Sequence, residues 1–117
     1  MAKELSQVII KENDMNKEAL EIFVNQIEKL SKINDKEDYV KDNSGIYLKS
    51  SFLENLVLDA KELIKYGEYE IALENILENL NEVSIVLDEK VVNLARQAFG
   101  EKITTYTEIL LSSLTKK

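Results

Sequence analysis

The chain has no cysteine, no proline, no histidine and no tryptophan, and only three glycines in 117 residues. Each absence excludes something. Without cysteine there is no disulfide, no thiol nucleophile and no thiolate zinc site. Without histidine there is no Ser-His-Asp triad, no phosphohistidine relay and no imidazole metal ligand. A ferritin-like di-iron bundle, which needs Glu-x-x-His, is excluded with them. A chain this poor in proline and glycine lacks the turns of a β-sandwich, so helices are expected. The apolar run near the start, Val8-Ile9-Ile10, is too short for a signal peptide or a membrane span. A cytoplasmic protein without membrane association is the expectation.

What is present points to an ordinary folded core. Hydrophobic residues make up 44% of the chain, and its length suits one domain over residues 1–117. The formal net charge is −7, from 22 acidic and 15 basic residues. Direct binding of nucleic acid, which needs a basic footprint, is therefore disfavoured.

Apolar spacing predicts the elements. Residues Glu4 to Lys11 fit either a helical turn or a short strand. Leu20, Phe23, Val24, Ile27, Leu30 and Ile33 form one helical stripe, with Asp14 or Asn16 as its N-cap. Asn34 to Ser50 reads as a long connection holding a turn at Asp42-Asn43-Ser44-Gly45. Its aromatics either cap the core or bind a partner, and a short helix within it is an alternative. Ser51-Phe52-Leu53-Glu54 has the capping-box pattern and opens a helix through Leu53, Leu56, Val57, Ala60, Leu63 and Ile64.

Gly67 stands where a left-handed C-cap is wanted. A helix through Tyr69, Ala72, Leu73, Ile76, Leu77, Leu80 and Val83 follows at once, so the two form a tight helical hairpin. Asp88 caps a helix bearing Val91, Val92, Ala95, Ala98 and Phe99, which Gly100 ends. Thr105-Tyr106-Thr107-Glu108 is a second capping-box match, with a start nearer Lys102 as the alternative. That last helix carries Ile103, Tyr106, Ile109, Leu110 and Leu114, and the chain frays at Lys116-Lys117. The expected fold is all-α: a compact bundle of four to five amphipathic helices.

One charge pattern asks for an explanation. From Tyr66 to Glu89 there are seven acidic residues and no lysine or arginine. Glu70, Glu74, Glu78 and Glu82 are spaced by four and fall in one row on a helix. Like charges at that spacing cost a few tenths of a kcal/mol per pair, and Glu78 and Glu82 lie near the negative helix end. Local helix stability does not explain the row. One explanation is a solvated face neutralised by Lys61 and Lys65 across the hairpin. The other is a docking surface, with Asn75, Asn79 and Asn81 beside it, for a cationic partner. No cofactor or metal is expected, since glutamates alone make no active site.

The stretch Lys65-Tyr66-Gly67-Glu68-Tyr69-Glu70-Ile71-Ala72-Leu73-Glu74-Asn75-Ile76-Leu77-Glu78-Asn79-Leu80 resembles the MafI-type immunity proteins of bacterial polymorphic toxin and contact-dependent growth inhibition systems. Gly67-Glu68-Tyr69 and Ala72-Leu73-Glu74 carry the likeness, which spans roughly residues 51–100. Glu70 stands where that family usually has a small residue, and residues 1–50 carry no pattern of it. The resemblance implies an antitoxin that binds the C-terminal toxin domain of a cognate effector. Toxins paired with such proteins are often nucleases, EndoU-like ribonucleases among them.

Glu70, Glu74, Glu78 and Glu82 are then the steering residues. Glu68 and Tyr69 sit at the hairpin turn, and Tyr39 and Tyr47 in the long connection are candidate anchors. For each tyrosine, packing at the edge of the core is the alternative. A non-catalytic helical adaptor or regulatory module is the second reading, and an enzyme is argued against by inventory.

Overall fold

The computed structural model describes residues 15–33 and 38–115. Its elements are α1 (Lys17–Ser31), β1 (Tyr39–Asp42), β2 (Gly45–Leu48), α2 (Lys49–Lys65), α3 (Tyr69–Glu82), α4 (Glu89–Phe99), a 3-10 turn (Gly100–Lys102) and α5 (Thr105–Leu114). The readings of residues 1–14, including Asp14 as a cap, and of Lys116-Lys117 lie outside the described residues.

Each helix lays its stripe on two neighbours, in the cyclic order α1, α2, α3, α5, α4 and back to α1. Phe23, Leu53, Leu73, Ile76, Leu77, Leu80, Phe99 and Leu111 are wholly buried inside this ring. Full burial of such a side chain stabilises by roughly 1.5–3 kcal/mol, so the stripes are what close the ring.

Local chemistry sets the ends. The Asn16 side chain accepts from the Ala19 N–H at 3.0 Å and caps α1. Its own N–H donates to the Ala98 carbonyl at 2.8 Å, which pins the start of α1 to the end of α4. Gly67 has φ +80. The Glu68 N–H returns to the Leu63 carbonyl and the Gly67 N–H to that of Ile64, both at 2.9 Å, which is a Schellman closure. The expected helical hairpin of α2 and α3 follows from it. The α3–α4 turn is closed likewise, with Ile85 N–H to Leu80 C=O at 3.0 Å, but Ser84 takes the left-handed position at φ 59. Asp88 caps α4 through the Lys90 N–H.

Three expectations are corrected. Residues 39–48 form an antiparallel β-hairpin within the expected connection, with Tyr39 opposite Leu48, Val40 opposite Tyr47 and Asp42 opposite Gly45. The anticipated turn closes it: Asp42 Oδ1 accepts from the N–H of Ser44 at 2.8 Å and of Gly45 at 3.1 Å. Helix α2 begins at Lys49, not at a Ser51 capping box, and its N-cap Leu48 makes no side-chain cap bond. The hairpin supplies the missing acceptor, because the Lys49 N–H donates to the Asp38 carbonyl at 2.9 Å.

The last helix is capped by Thr104, whose hydroxyl accepts from the Thr107 N–H while the Thr107 hydroxyl accepts from the Thr104 N–H. That shifts the capping box one residue from the expected Thr105. The inward face of α5 is Thr107, Leu111 and Leu114, and Tyr106 and Ile109 are exposed.

Candidate functional site

A period of four on an α-helix keeps residues on one side of it. The structure realises this on α3, where Glu70 and Glu74 are half-buried and Glu78 and Glu82 are exposed. The ion pairs among the described residues are Lys32–Glu28, Lys49–Asp38, Lys61–Glu28 and Arg96–Glu108. None reaches the row.

Lys61, expected to lean across the hairpin, instead bonds Glu28 of α1 at 3.2 Å. That hydrogen bond and charge pull the Glu28 carboxyl below its usual range. Lys65 lies with its ammonium 5.9 Å from the centre of the Tyr66 ring. Among the described residues, then, no lysine or arginine forms an ion pair with the four carboxylates, and the cation at the row's head is Lys102, which lines a cleft with Glu70. Glu74 records the result: burial first, then the charges of Glu70 and Glu78, push its carboxyl above the ordinary value.

The row has a neighbour that sequence reasoning placed in the core. The Tyr106 hydroxyl on α5 donates to Glu78 Oε2 at 2.5 Å, and this bond raises the phenol above its ordinary value. Exposed Tyr106 and Ile109 on α5 and Ile71 on α3 add apolar surface to the two helices that form this face. The signal that would have found Tyr106 is the Thr107, Leu111, Leu114 spacing, which turns residue 106 outward.

The asparagines beside the row are engaged. Asn79 Nδ2 donates to the Asn75 carbonyl at 2.8 Å. Asn81 Nδ2 donates to the Leu77 carbonyl at 2.9 Å and the Leu110 carbonyl at 3.2 Å, bridging α3 to α5.

Of the remaining candidates, Glu68 and Tyr69 meet the head of the row, lining one cleft with Glu70, Ile71 and Lys102, whereas Tyr39 and Tyr47 do not join it. Glu68 is exposed at the α2–α3 turn. Tyr69 is half-buried, with the Lys17 ammonium 5.7 Å from its ring centre. It lines a cleft of about 610 Å³ with Lys17, Lys61 and Lys65, a basic setting rather than an acidic one. Tyr39 and Tyr47 lie on the β-hairpin at the opposite end of α2, whose 17 residues span about 25 Å.

Tyr47 faces inward. Its hydroxyl bonds the Ser44 hydroxyl, and its ring lies 5.9 Å from that of Phe52. Tyr39 faces outward with Ile46 and Leu48, all exposed.

Among the described residues no three His, Cys, Asp or Glu are placed to hold a metal ion. No described helix is long and apolar enough to cross a membrane. What α3 and α5 offer is a fixed, negative surface that attracts cations and speeds their encounter. No protein-family model matches the sequence, and neither curated proteins nor solved structures gave a match.

Proposed function

We propose that this protein is a cytoplasmic immunity protein that binds and neutralises the toxin domain of a cognate bacterial effector. The toxin is a cationic nuclease of the kind that the MafI-type resemblance of residues 51–100 implies, an EndoU-like ribonuclease being one such class. The observation that carries the reading is the row Glu70, Glu74, Glu78 and Glu82, left without a basic partner among the described residues. A nuclease needs a cationic groove for its substrate. A rigid ridge of carboxylates fits such a groove and excludes the nucleic acid by charge and bulk. The protein contributes no catalytic step; it acts by occupancy. Electrostatic complementarity of this kind governs association rate and partner choice more than raw affinity.

The test is rescue of growth. The toxin domain encoded beside this chain is expressed with and without it. Arrest relieved by this chain is the expected result, and arrest that persists despite soluble, folded protein overturns the reading. A second reading, a non-catalytic adaptor, is favoured by one observation: the outward face of the β-hairpin exposes Tyr39, Ile46 and Leu48. Mutating those three while the ridge stays intact would abolish partner binding under the adaptor reading and spare it under the first.

A further inference from the structure

A second feature is independent of the acidic ridge. Helix α1, the C-terminal part of α2 and the α2–α3 turn line a cleft of about 610 Å³. That volume lies inside the range of small-molecule sites, about 300–1,000 Å³. In an acidic chain its lining is unexpectedly basic: Lys17, Lys61 and Lys65 beside Glu21, with Lys61 already paired to Glu28 of α1, so that Lys17 and Lys65 are the cations left to meet a ligand. Val24 and Ile64 give it an apolar floor.

We propose that this cleft binds a small organic anion carrying two or more carboxylate or phosphate charges. Three arrangements support this. First, the ammoniums of Lys17 and Lys65 lie over the rings of Tyr69 and Tyr66, at 5.7 and 5.9 Å from their centres. Cation–π contact localises a lysine without neutralising it, so both keep their charge for a ligand.

Second, α3 begins here, and its N-cap Glu68 makes no side-chain cap bond. The positive end of α3, which reaches the cleft at Tyr69, therefore adds to the lysines. Glu68 and Glu70 line the neighbouring cleft with Lys102, not this one. Third, Gly67 lines the cleft, and a Cβ built there meets nothing within 4 Å, so its backbone is open on that side. The net charge of −7 acts against an anion at long range. Screening confines that penalty to about 8 Å at physiological salt, which leaves the nearby ammoniums in control. A multivalent ligand gains most from them.

The test is an amide-shift titration of the purified chain with citrate and, separately, with inorganic pyrophosphate, at constant ionic strength. Saturable shifts centred on Lys17, Lys65, Gly67 and Tyr69 are expected. Binding of pyrophosphate alone assigns a phosphate ligand, and of citrate alone a carboxylate ligand. The double variant Lys17→Gln/Lys65→Gln should weaken binding roughly tenfold or more, with its helical circular dichroism retained. Glu21→Gln should tighten it several-fold, and decides the matter if the double variant fails to fold. Shifts that never saturate, shifts spread evenly over all surface lysines, or unchanged affinity in Glu21→Gln would overturn the proposal.

Discussion

The hydroxyl of Tyr106 on α5 rests on the carboxylate of Glu78 on α3 at 2.5 Å. The contact ties the acidic row to the one aromatic on the neighbouring helix that the core leaves outside. The phenol is held above its ordinary value of 10.0 chiefly by this bond. A folded value above the unfolded one favours folding below the unfolded value and loses that contribution as pH rises through the folded one. Replacing Glu78 by Gln should return one of the five tyrosines to ordinary titration, read as phenolate absorbance against pH. Stability at pH 7 should be little changed, since the bond is exposed. An identical phenolate titration in the variant would remove the contact from consideration.

Glu74 behaves in the opposite sense to most surface carboxylates. Burial, then Glu70 and Glu78, raises it above 4.5. Its native form therefore holds a proton more tightly than the unfolded chain does. That contribution favours folding below the unfolded value and is lost as pH rises through the raised one, so at neutral pH the ionised group destabilises. Glu74→Gln should gain a few tenths of a kcal/mol at pH 7, allowing for solvent screening. The gain should shrink in acid. Thermal melts at pH 7 and near pH 4 check this, and a variant less stable than the parent at pH 7 would contradict it.

Ser84 holds a left-handed conformation, φ 59, at the α3–α4 turn. Glycine meets no Cβ penalty there. Ser84→Gly should therefore stabilise by roughly 0.5–1 kcal/mol, an increase in Tm of a few degrees. A fall in Tm would show that the serine side chain contributes something its geometry does not reveal.

Asn81 joins two helices through one amide group, donating to the Leu77 and Leu110 carbonyls. Asn81→Ala should cost about 1 kcal/mol. The loss should appear first as faster amide hydrogen exchange in α5. Uniform acceleration through the whole bundle would instead mean that α5 has no separate opening.

For the proposed immunity role, reversing Glu74 and Glu78 to lysine should leave helical content intact. Association with the cationic toxin domain should slow roughly tenfold at low salt and less at high salt. Stopped-flow mixing reads the rate directly, and an unchanged low-salt rate would argue against docking through α3.

The helices were legible because their stripes are long. The residues expected inward on α1 to α4 are almost all buried or half-buried there, and Ile33, just beyond α1, is the exposed exception. The Gly67 turn was legible because one glycine and one register determine it. The β-hairpin was not, since strands of four residues are too short for alternation to stand out, although their turn was plain. On α5 the stripe was misread by about one position: Thr107, Leu111 and Leu114 face inward while Tyr106 and Ile109 are exposed, and one residue is about 100° around the helix, enough to carry a side chain from core to solvent. The acidic row could be read from spacing alone. The fate of Lys61 could not, because Glu28 lies 33 residues away and only the packing of α1 on α2 brings them together. The place of Lys17 over the Tyr69 ring could not be read for the same reason, since it is a tertiary fact.

Helix α5 is held by Arg96 through Glu108 at 2.7 Å, by Asn81 through Leu110, and by the Leu87 N–H through the Leu114 carbonyl at 2.8 Å. A ribosome delivers α3 before α5. While the chain is being made, Glu78 has no Tyr106 to rest on, and one side of α3 lacks its neighbour. The face therefore becomes complete late in translation, as the final described helix closes the circle, and a nascent chain bearing α3 alone is expected to lack the docking proposed for it.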